Sequence, residues 1–319
     1  MNTVSLAKLA IKASPTVPSF SRASIGELEE VFNTELFVNG SEIDQREIML
    51  GSSTSKYRGE LEYPWDNYFG YDLAPFLQNK SALDLGCHTG GRSVAWFERY
   101  KLFHITGIDV RDEFIAAAKQ FASVHQASAD FTLGVGERLP FEDESFDAIL
   151  SFDVLEHVQN IESTMSECRR VLKPGGAFYL VFPGFYQPWE HHLTLATRTP
   201  CLHWFFGGKT LVKAYYEVLA QRSDSDWYRR KSPELKPWER GHTINGTTVR
   251  QFKRLIEEGD WRVVSESRLP IGAIGRNAST HRAAGVARTV AKVLSPFTNV
   301  PGAQELVRHR ITYVLQKPF

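Results

Sequence analysis

A doubly wound, mostly parallel α/β sheet is the fold class this sequence predicts, and three observations carry the prediction. From Ser81 to about residue 183, short apolar runs alternate with amphipathic stretches, as in strands joined by helical crossovers. The first run, SALDLG at 81–86, breaks into the glycine-rich turn CHTGG. After residue 246 the alternation returns as a helix, a strand and a closing strand, which brings the expected strands to seven.

The expected strands of the first half are SALDLG at 81–86, HITGIDV at 104–110, ADFTLGV at 129–135, FDAILSF at 146–152 and GAFYLVFP at 176–183. All but the first are rich in β-branched or aromatic residues, and turn formers bound them. The helices SVAWFERY, EFIAAAKQFASVH and IESTMSECRRVL lie between them, and Pro174, Gly175 and Gly176 punctuate the last. Upstream, residues 24–38 place Ile25, Leu28, Val31, Phe32 and Leu36 near a helical period, which predicts a packing helix ahead of the core. An aromatic stretch, YPWDNYFGYDLAPFL, follows at 63–77.

Beyond Pro183 the rhythm stops. Residues 184–245 are rich in His, Trp, Arg and Pro without a period, as expected of a lid or acceptor-binding insertion. In TTVRQFKRLIEEG, Val249, Phe252 and Leu255 face one way, Thr247 or Thr248 can cap, and Gly259 ends the helix. WRVVSES and the closing ITYVLQ are strands, so about 270–308 is an insertion between them. The expected divisions are an N-terminal extension and helical cap (1–61), a ligand-binding core (62–185), a lid (186–245) and a C-terminal completion of the core (246–319).

Lys+Arg and Asp+Glu both total 37 in 319 residues, so the chain has no global charge with which to grip a phosphate backbone. That argues against a nucleic-acid partner. Cys87, Cys168 and Cys201 are widely spaced and form neither a metal knuckle nor a disulfide framework, which fits a reducing compartment. No apolar run reaches the length of a bilayer span, and the expectation is a cytoplasmic protein. Lys8, Lys12 and Arg22, with no acid before Glu27, loosely resemble an organelle transit peptide. A frayed terminus is the simpler reading.

The turn after the first strand distinguishes two ligands. A nicotinamide-binding loop wants glycine at its first, third and sixth places, here Gly86, His88 and Gly91, so the second glycine is missing. The alternative is an adenosyl group joined to an amino acid, with Asp84 ahead of the turn ordering an ammonium or the loop. Asp84 and Asp109 end adjacent expected strands, where open α/β sheets bind ligands, and a carboxylate there accepts both hydrogen bonds of a vicinal diol.

DLGCHTGG, GIDV, GERLPFEDESFDAILSFDVLEHV and RRVLKPGGAFYLVFP, in this order, resemble the class I S-adenosylmethionine-dependent methyltransferases. The resemblance implies a seven-stranded Rossmann-like methyltransferase fold with an N-terminal helical cap and C-terminal lid insertions. It implies S-adenosyl-L-methionine as cofactor, held by Asp84, Gly86, Cys87, His88, Gly90, Asp109, Val110, Val135, Gly136 and Phe152. Two positions depart from the family: His88 stands where a third glycine is usual, and Val135 where an acid often meets the adenine amino group. Backbone near Gly136 and apolar walls are then left to hold the adenine.

Methyl transfer needs little beyond alignment in a dry site, but a hydroxyl acceptor must lose a proton, and histidine is the usual recipient. His157, His191 and His192 are the candidates, and a small molecule methylated on oxygen is the expected acceptor. Asp153 to His157 is also similar to the acid-x-x-Glu-His stretch of metal-dependent relatives acting on quinones or small RNAs. With His192 that would make Asp153, Glu156 and His157 ligands of a divalent ion. The metal-free reading is the simpler one, because Leu-Glu-His is common here in members without metal. A cofactor-binding scaffold without turnover is the alternative of another class. The basic residues at 208–240 are diluted by acids and read as a solvated face. AAGVARTVAKVL at 283–294 is a short amphipathic helix that could meet a membrane or lipid acceptor, with an ordinary surface helix the plainer reading.

Overall fold

The structure, a computed structural model, describes residues 2–14, 42–188, 193, 197, 199–221, 244–273 and 283–319. In chain order its elements are α1 (Thr3–Ala13), α2 (Glu42–Glu62), α3 (Asp66–Phe69), α4 (Ala74–Leu77), β1 (Ser81–Leu85), α5 (Gly91–Tyr100), β2 (His104–Asp109), α6 (Asp112–Val124), β3 (Ala129–Leu133), β4 (Phe146–Phe152), α7 (Ile161–Val171), β5 (Leu172–Phe182), α8 (Leu202–Phe205), α9 (Gly208–Ala220), α10 (Val249–Glu258), β6 (Arg262–Ser267), α11 (Ala283–Leu294), a 3-10 helix (Ser295–Asn299), α12 (Gln304–Val307) and β7 (Ile311–Gln316). They form two compact units, residues 1–48 with 186–244 and residues 49–185 with 245–319. Among the described residues no helix is long and apolar enough to cross a membrane.

The larger unit is built on a seven-stranded sheet in the order β3-β2-β1-β4-β5-β7-β6. β1 to β5 run parallel, and β7 is antiparallel to both its neighbours. Period-two alternation sends Leu83, Leu85, Ile149, Phe178, Leu180 and Phe182 to one face, where Met165 and Cys168 of α7 and Phe252 and Ile256 of α10 cover them. The opposite face carries Ala82, Ala148, Leu150, Tyr179 and Val181 under Trp65, Phe69, Leu77 and Trp96. Burying each such Leu, Ile or Phe contributes about 1.5–3 kcal/mol, so the two faces supply most of this unit's cohesion. The order reverses between β1 and β4, which puts a crevice at their carboxyl ends.

Several expected boundaries move for physical reasons. β1 stops at Leu85 because the next two amides, of Gly86 and Cys87, turn to donate to the Ile108 carbonyl at 2.9 and 3.0 Å. β5 begins at Leu172, earlier than the glycine pair suggested, since Pro174 and Gly175 form an irregularity within the strand rather than a turn before it. Gly175 has φ +74 and its amide donates to the Lys317 carbonyl at 3.0 Å. In α10 the Thr248–Gln251 capping box forms, and the buried face is Val249, Phe252 and Ile256, with Leu255 packed beside it. Cys87, Cys168 and Cys201 are free thiols.

The smaller unit includes α1, which is a correction to the frayed terminus. Asn2 caps it by accepting from the Ser5 amide at 2.9 Å, and Ala7 and Ile11 are buried with Leu202, Leu211, Ala214 and Tyr215 of α8 and α9. Lys8 pairs with Glu217 at 2.6 Å and Lys12 donates to Gln221 at 2.9 Å, so the two lysines serve this packing. The helix expected at 24–38 lies outside the described residues.

Candidate active site

The glycine turn is shaped by its neighbours before any ligand is considered. Gly86 has φ +78, and a Cβ there would meet Val154 Cγ2 at 2.3 Å. His88 follows at φ +51, a left-handed conformation that costs a histidine less than a β-branched residue. Its amide donates to Asp109 Oδ2 at 2.9 Å, its ring lies 3.9 Å from that of Phe114, and its Nδ1 is 3.2 Å from Thr89 Oγ1. The loop is thereby tied to the end of β2. Gly90, in the left-handed region at φ +73, is the N-cap of α5.

One helix upstream completes the cleft. Ser53 of α2 donates to the Thr89 carbonyl at 2.7 Å, and a Cβ on Gly91 would lie 1.9 Å from the Ser53 carbonyl oxygen. That contact holds α2 against the turn. Lys56 and Glu60, three and seven residues on, then share the face that carries Ser53. The resulting cavity is lined by Lys56, Asp84, Gly86, Cys87, His88, Arg92, Phe152 and Asp153. Arg92 lies 4.0 Å over the Phe152 ring and 3.5 Å from Glu60, while Tyr68 meets Phe152 edge-on at 5.2 Å.

Burial sets the electrostatics. The Asp84 carboxylate, which accepts from Ser93 Oγ at 2.5 Å, has its pKa pushed up to about 7 because desolvation outweighs that bond and the Arg92 charge. Asp109 is raised for the same reason, against backbone bonds from His88 and Arg111. His88 is lowered to about 3 by burial and then by the nearby cations, so its ring is neutral. Lys56 stays accessible within the cleft, yet the protein crowded round it and the Arg92 charge bring it down to about 8. Its ammonium makes no hydrogen bond or ion pair with a described residue.

These residues suit a zwitterionic adenosyl ligand. Two acids end adjacent strands, registered as Asp84 opposite Gly107 two residues before Asp109, and two cations face them across one cavity. Asp109 would accept a diol, Asp84 an ammonium, and Lys56 with Arg92 would hold a carboxylate.

Of the residues expected from the sequence, Asp84, Gly86, Cys87, His88 and Phe152 line this cavity, and Asp109 joins through the His88 amide. Val110 and Val135 are exposed beyond the strand ends, and Gly136 faces Thr164, whose Cγ2 would be 3.1 Å from an added Cβ. His157 sits in the turn after β4 with Nε2 3.6 Å from Glu156 Oε1. Asp153, at φ +55, instead pairs with Arg310 at 3.0 Å. No group of three His, Cys, Asp or Glu suited to a metal occurs among the described residues. His191 and His192 lie outside those residues, as does 222–240 of the basic stretch. Lys56 and Arg92 were missed by the sequence reading. α2 is polar with little apolar periodicity, whereas Arg92, a cation in the first turn of α5 where the helix dipole disfavours one, was a visible signal.

Residues 83–180 match the family described as a methyltransferase domain. Over 117 residues the chain is 36 % identical to a sterol 24-C-methyltransferase of Gibberella zeae, a match that covers 35 % of this chain and 30 % of that protein. Over 111 residues it is 33 % identical to a ubiquinone biosynthesis O-methyltransferase of Maricaulis maris, covering 34 % of this chain and 43 % of that one. The matches thus span less than half the length of these relatives. A solved structure of S-adenosylmethionine-dependent methyltransferases from Methanosarcina mazei aligns with a TM-score of 0.45 at 19 % identity, over 77 % of this chain and 97 % of that one.

Proposed function

We propose that this chain, whose residues 83–180 match a methyltransferase domain, is a class I S-adenosylmethionine-dependent methyltransferase that transfers a methyl group from that cofactor to the oxygen of a small-molecule acceptor. The observation that carries the reading is the gathering of Asp84, His88, Lys56 and Arg92 round one cavity at the sheet's switch point. The cofactor supplies an electrophilic sulfonium methyl. The chain's own work is to bind and orient. Asp109 holds the ribose hydroxyls, Asp84 the ammonium, and Lys56 and Arg92 the carboxylate, while Phe152 and Tyr68 exclude water beside them.

A hydroxyl acceptor gives up a proton as it is methylated. His157 takes that role here, with Glu156 orienting its ring, and His191 and His192 are the further candidates. Oxygen is favoured over carbon because protein bases are at hand for it, although relatives are named for both C- and O-methylation. The test is transfer of labelled methyl from S-adenosylmethionine to pooled small-molecule acceptors, with Asp109→Ala as control. That variant should weaken cofactor binding by about 1.5–3 kcal/mol in calorimetry. Unchanged affinity would overturn the site, and binding without a labelled product from any pool would favour a non-catalytic cofactor binder.

A further inference from the structure

We propose that α11 and the 3-10 helix after it form a docking face for an anionic lipid surface. The sequence of 271–304 carries Arg276, Arg282, Arg288 and Lys292 and no acid. Within it Val286, Val290 and Val293 recur at intervals of four and three residues, the spacing of one helical stripe on α11, and Phe297 and Val300 follow on the 3-10 helix and its C-cap. An ordinary surface helix turns such a stripe into the core. Here the five side chains are 38 to 67 % exposed, while among the described side chains of α11 Ala291 and Leu294 are the half-buried ones. Arg288 and Lys292 are exposed on the side away from the valines.

The stripe is held in place rather than left loose. Thr298 is buried, and its carbonyl accepts from Nε and Nη2 of the buried Arg308 at 3.1 and 3.0 Å. Arg308 also pairs with Glu266 at 2.9 Å, and Arg268 donates to Asn299 at 2.6 Å. The segment is therefore anchored at the β6–β7 edge and presents its valines outward.

Charge decides what covers it. A second copy meeting this segment through a two-fold axis would bring the same cations and no acid of the segment itself, placing like charges together. A bilayer containing anionic lipids satisfies both features: the aliphatic stripe enters the acyl boundary, and the cations reach the head groups. At 12 residues, about 18 Å long, α11 is too short to span a bilayer and would lie in its plane.

Co-sedimentation of the full chain with vesicles tests this, using phosphatidylcholine alone or mixed with phosphatidylglycerol. Binding is expected on the mixture and not on phosphatidylcholine, and should fall as salt rises. Arg288→Gln with Lys292→Gln should weaken it about fivefold per charge. Val286→Ser with Val290→Ser and Val293→Ser should weaken it at least as much, with melting temperature and cofactor affinity unchanged because these side chains are exposed. As a second measurement, a polarity-sensitive dye on Val290→Cys should shift to the blue on the mixed vesicles. No partition of the parent chain, equal binding to both vesicle types, variants that bind as well as the parent, or a dye that does not shift would each overturn the proposal. So would a concentration-dependent dimer that the valine variant abolishes.

Discussion

Asp84 and Lys56 titrate into one cleft from either side of a narrow pH range. Asp84 is near 7 and must be ionised to hold an ammonium, so cofactor affinity should fall as pH drops through about 7. Lys56, near 8, loses its charge above that value and releases the carboxylate. Calorimetry across pH should therefore give a bell-shaped affinity, with Asp84→Asn flattening the acid limb and Lys56→Met the alkaline one. A profile that neither variant alters would remove both residues from the site. Stability without cofactor follows a separate rule. Asp84 has a folded value above its ordinary 3.8, so its contribution is full below 3.8 and is lost as pH rises through about 7. His88 is depressed from 6.5 to about 3, so its contribution is present above 6.5 and is lost as pH falls through about 3. The two slopes oppose each other between about 4 and 6.5. Relative to the parent, denaturant melts should then show the slope of stability against pH becoming more positive in Asp84→Asn and more negative in His88→Asn across that window; changes of the same sign would refute the pair of assignments.

At the scale of elements, the turn and α2 are one assembly. Gly91→Ala places a methyl group 1.9 Å from the Ser53 carbonyl oxygen, a backbone atom that cannot swing aside. The helix must shift, and Lys56 with it. We expect a loss of about 1–3 kcal/mol in stability together with weaker cofactor binding. Gly285→Ala in α11, with nothing within 4 Å of the added methyl, should instead strengthen its helix by about 0.5–1 kcal/mol. Equal melting temperatures for the two variants would count against this packing. Strands β1, β2, β4, β5 and β7 and the helices α5, α6, α7 and α10 were legible because they carry apolar periods that the core uses, as Val249, Phe252 and Ile256 do. α2 was not, because what locates it is a serine hydroxyl on the Thr89 carbonyl and a missing Cβ at Gly91, neither of which leaves a periodic signal. For the same reason Lys56 stayed hidden while Asp84 and Asp109, placed by strand ends, did not. The bulge in β5 depends on Gly175 pairing with Lys317, a partner remote in sequence.

For the molecule as a whole, the division into two units separates what binds from what the sequence assigns to the lid. Every lining residue of the cleft, Lys56 through Asp153, belongs to residues 49–185, and the sheet is completed by 245–319. The two ends that flank the excursion 186–244 meet within the larger unit: the Phe185 amide donates to the Thr247 carbonyl at 3.1 Å. Asn245 Nδ2 also donates to the carbonyls of Leu155 and Val158 at 2.6 and 3.0 Å, pinning the return of the chain to the turn that carries Glu156 and His157. A short linker can therefore join 185 to 245 without straining the sheet. A chain of 49–185 so joined to 245–319 keeps the carboxyl end of α2, both hydrophobic faces and all eight cavity residues. We predict that it melts cooperatively and binds S-adenosylmethionine within about 1 kcal/mol of the full chain. It should nevertheless transfer no methyl group, because the expected lid at 186–245, with His191 and His192, has been removed. A folded fragment that had lost cofactor binding would show that the smaller unit contributes directly to the cofactor site, and full turnover by the fragment would show that the acceptor needs nothing from 186–244.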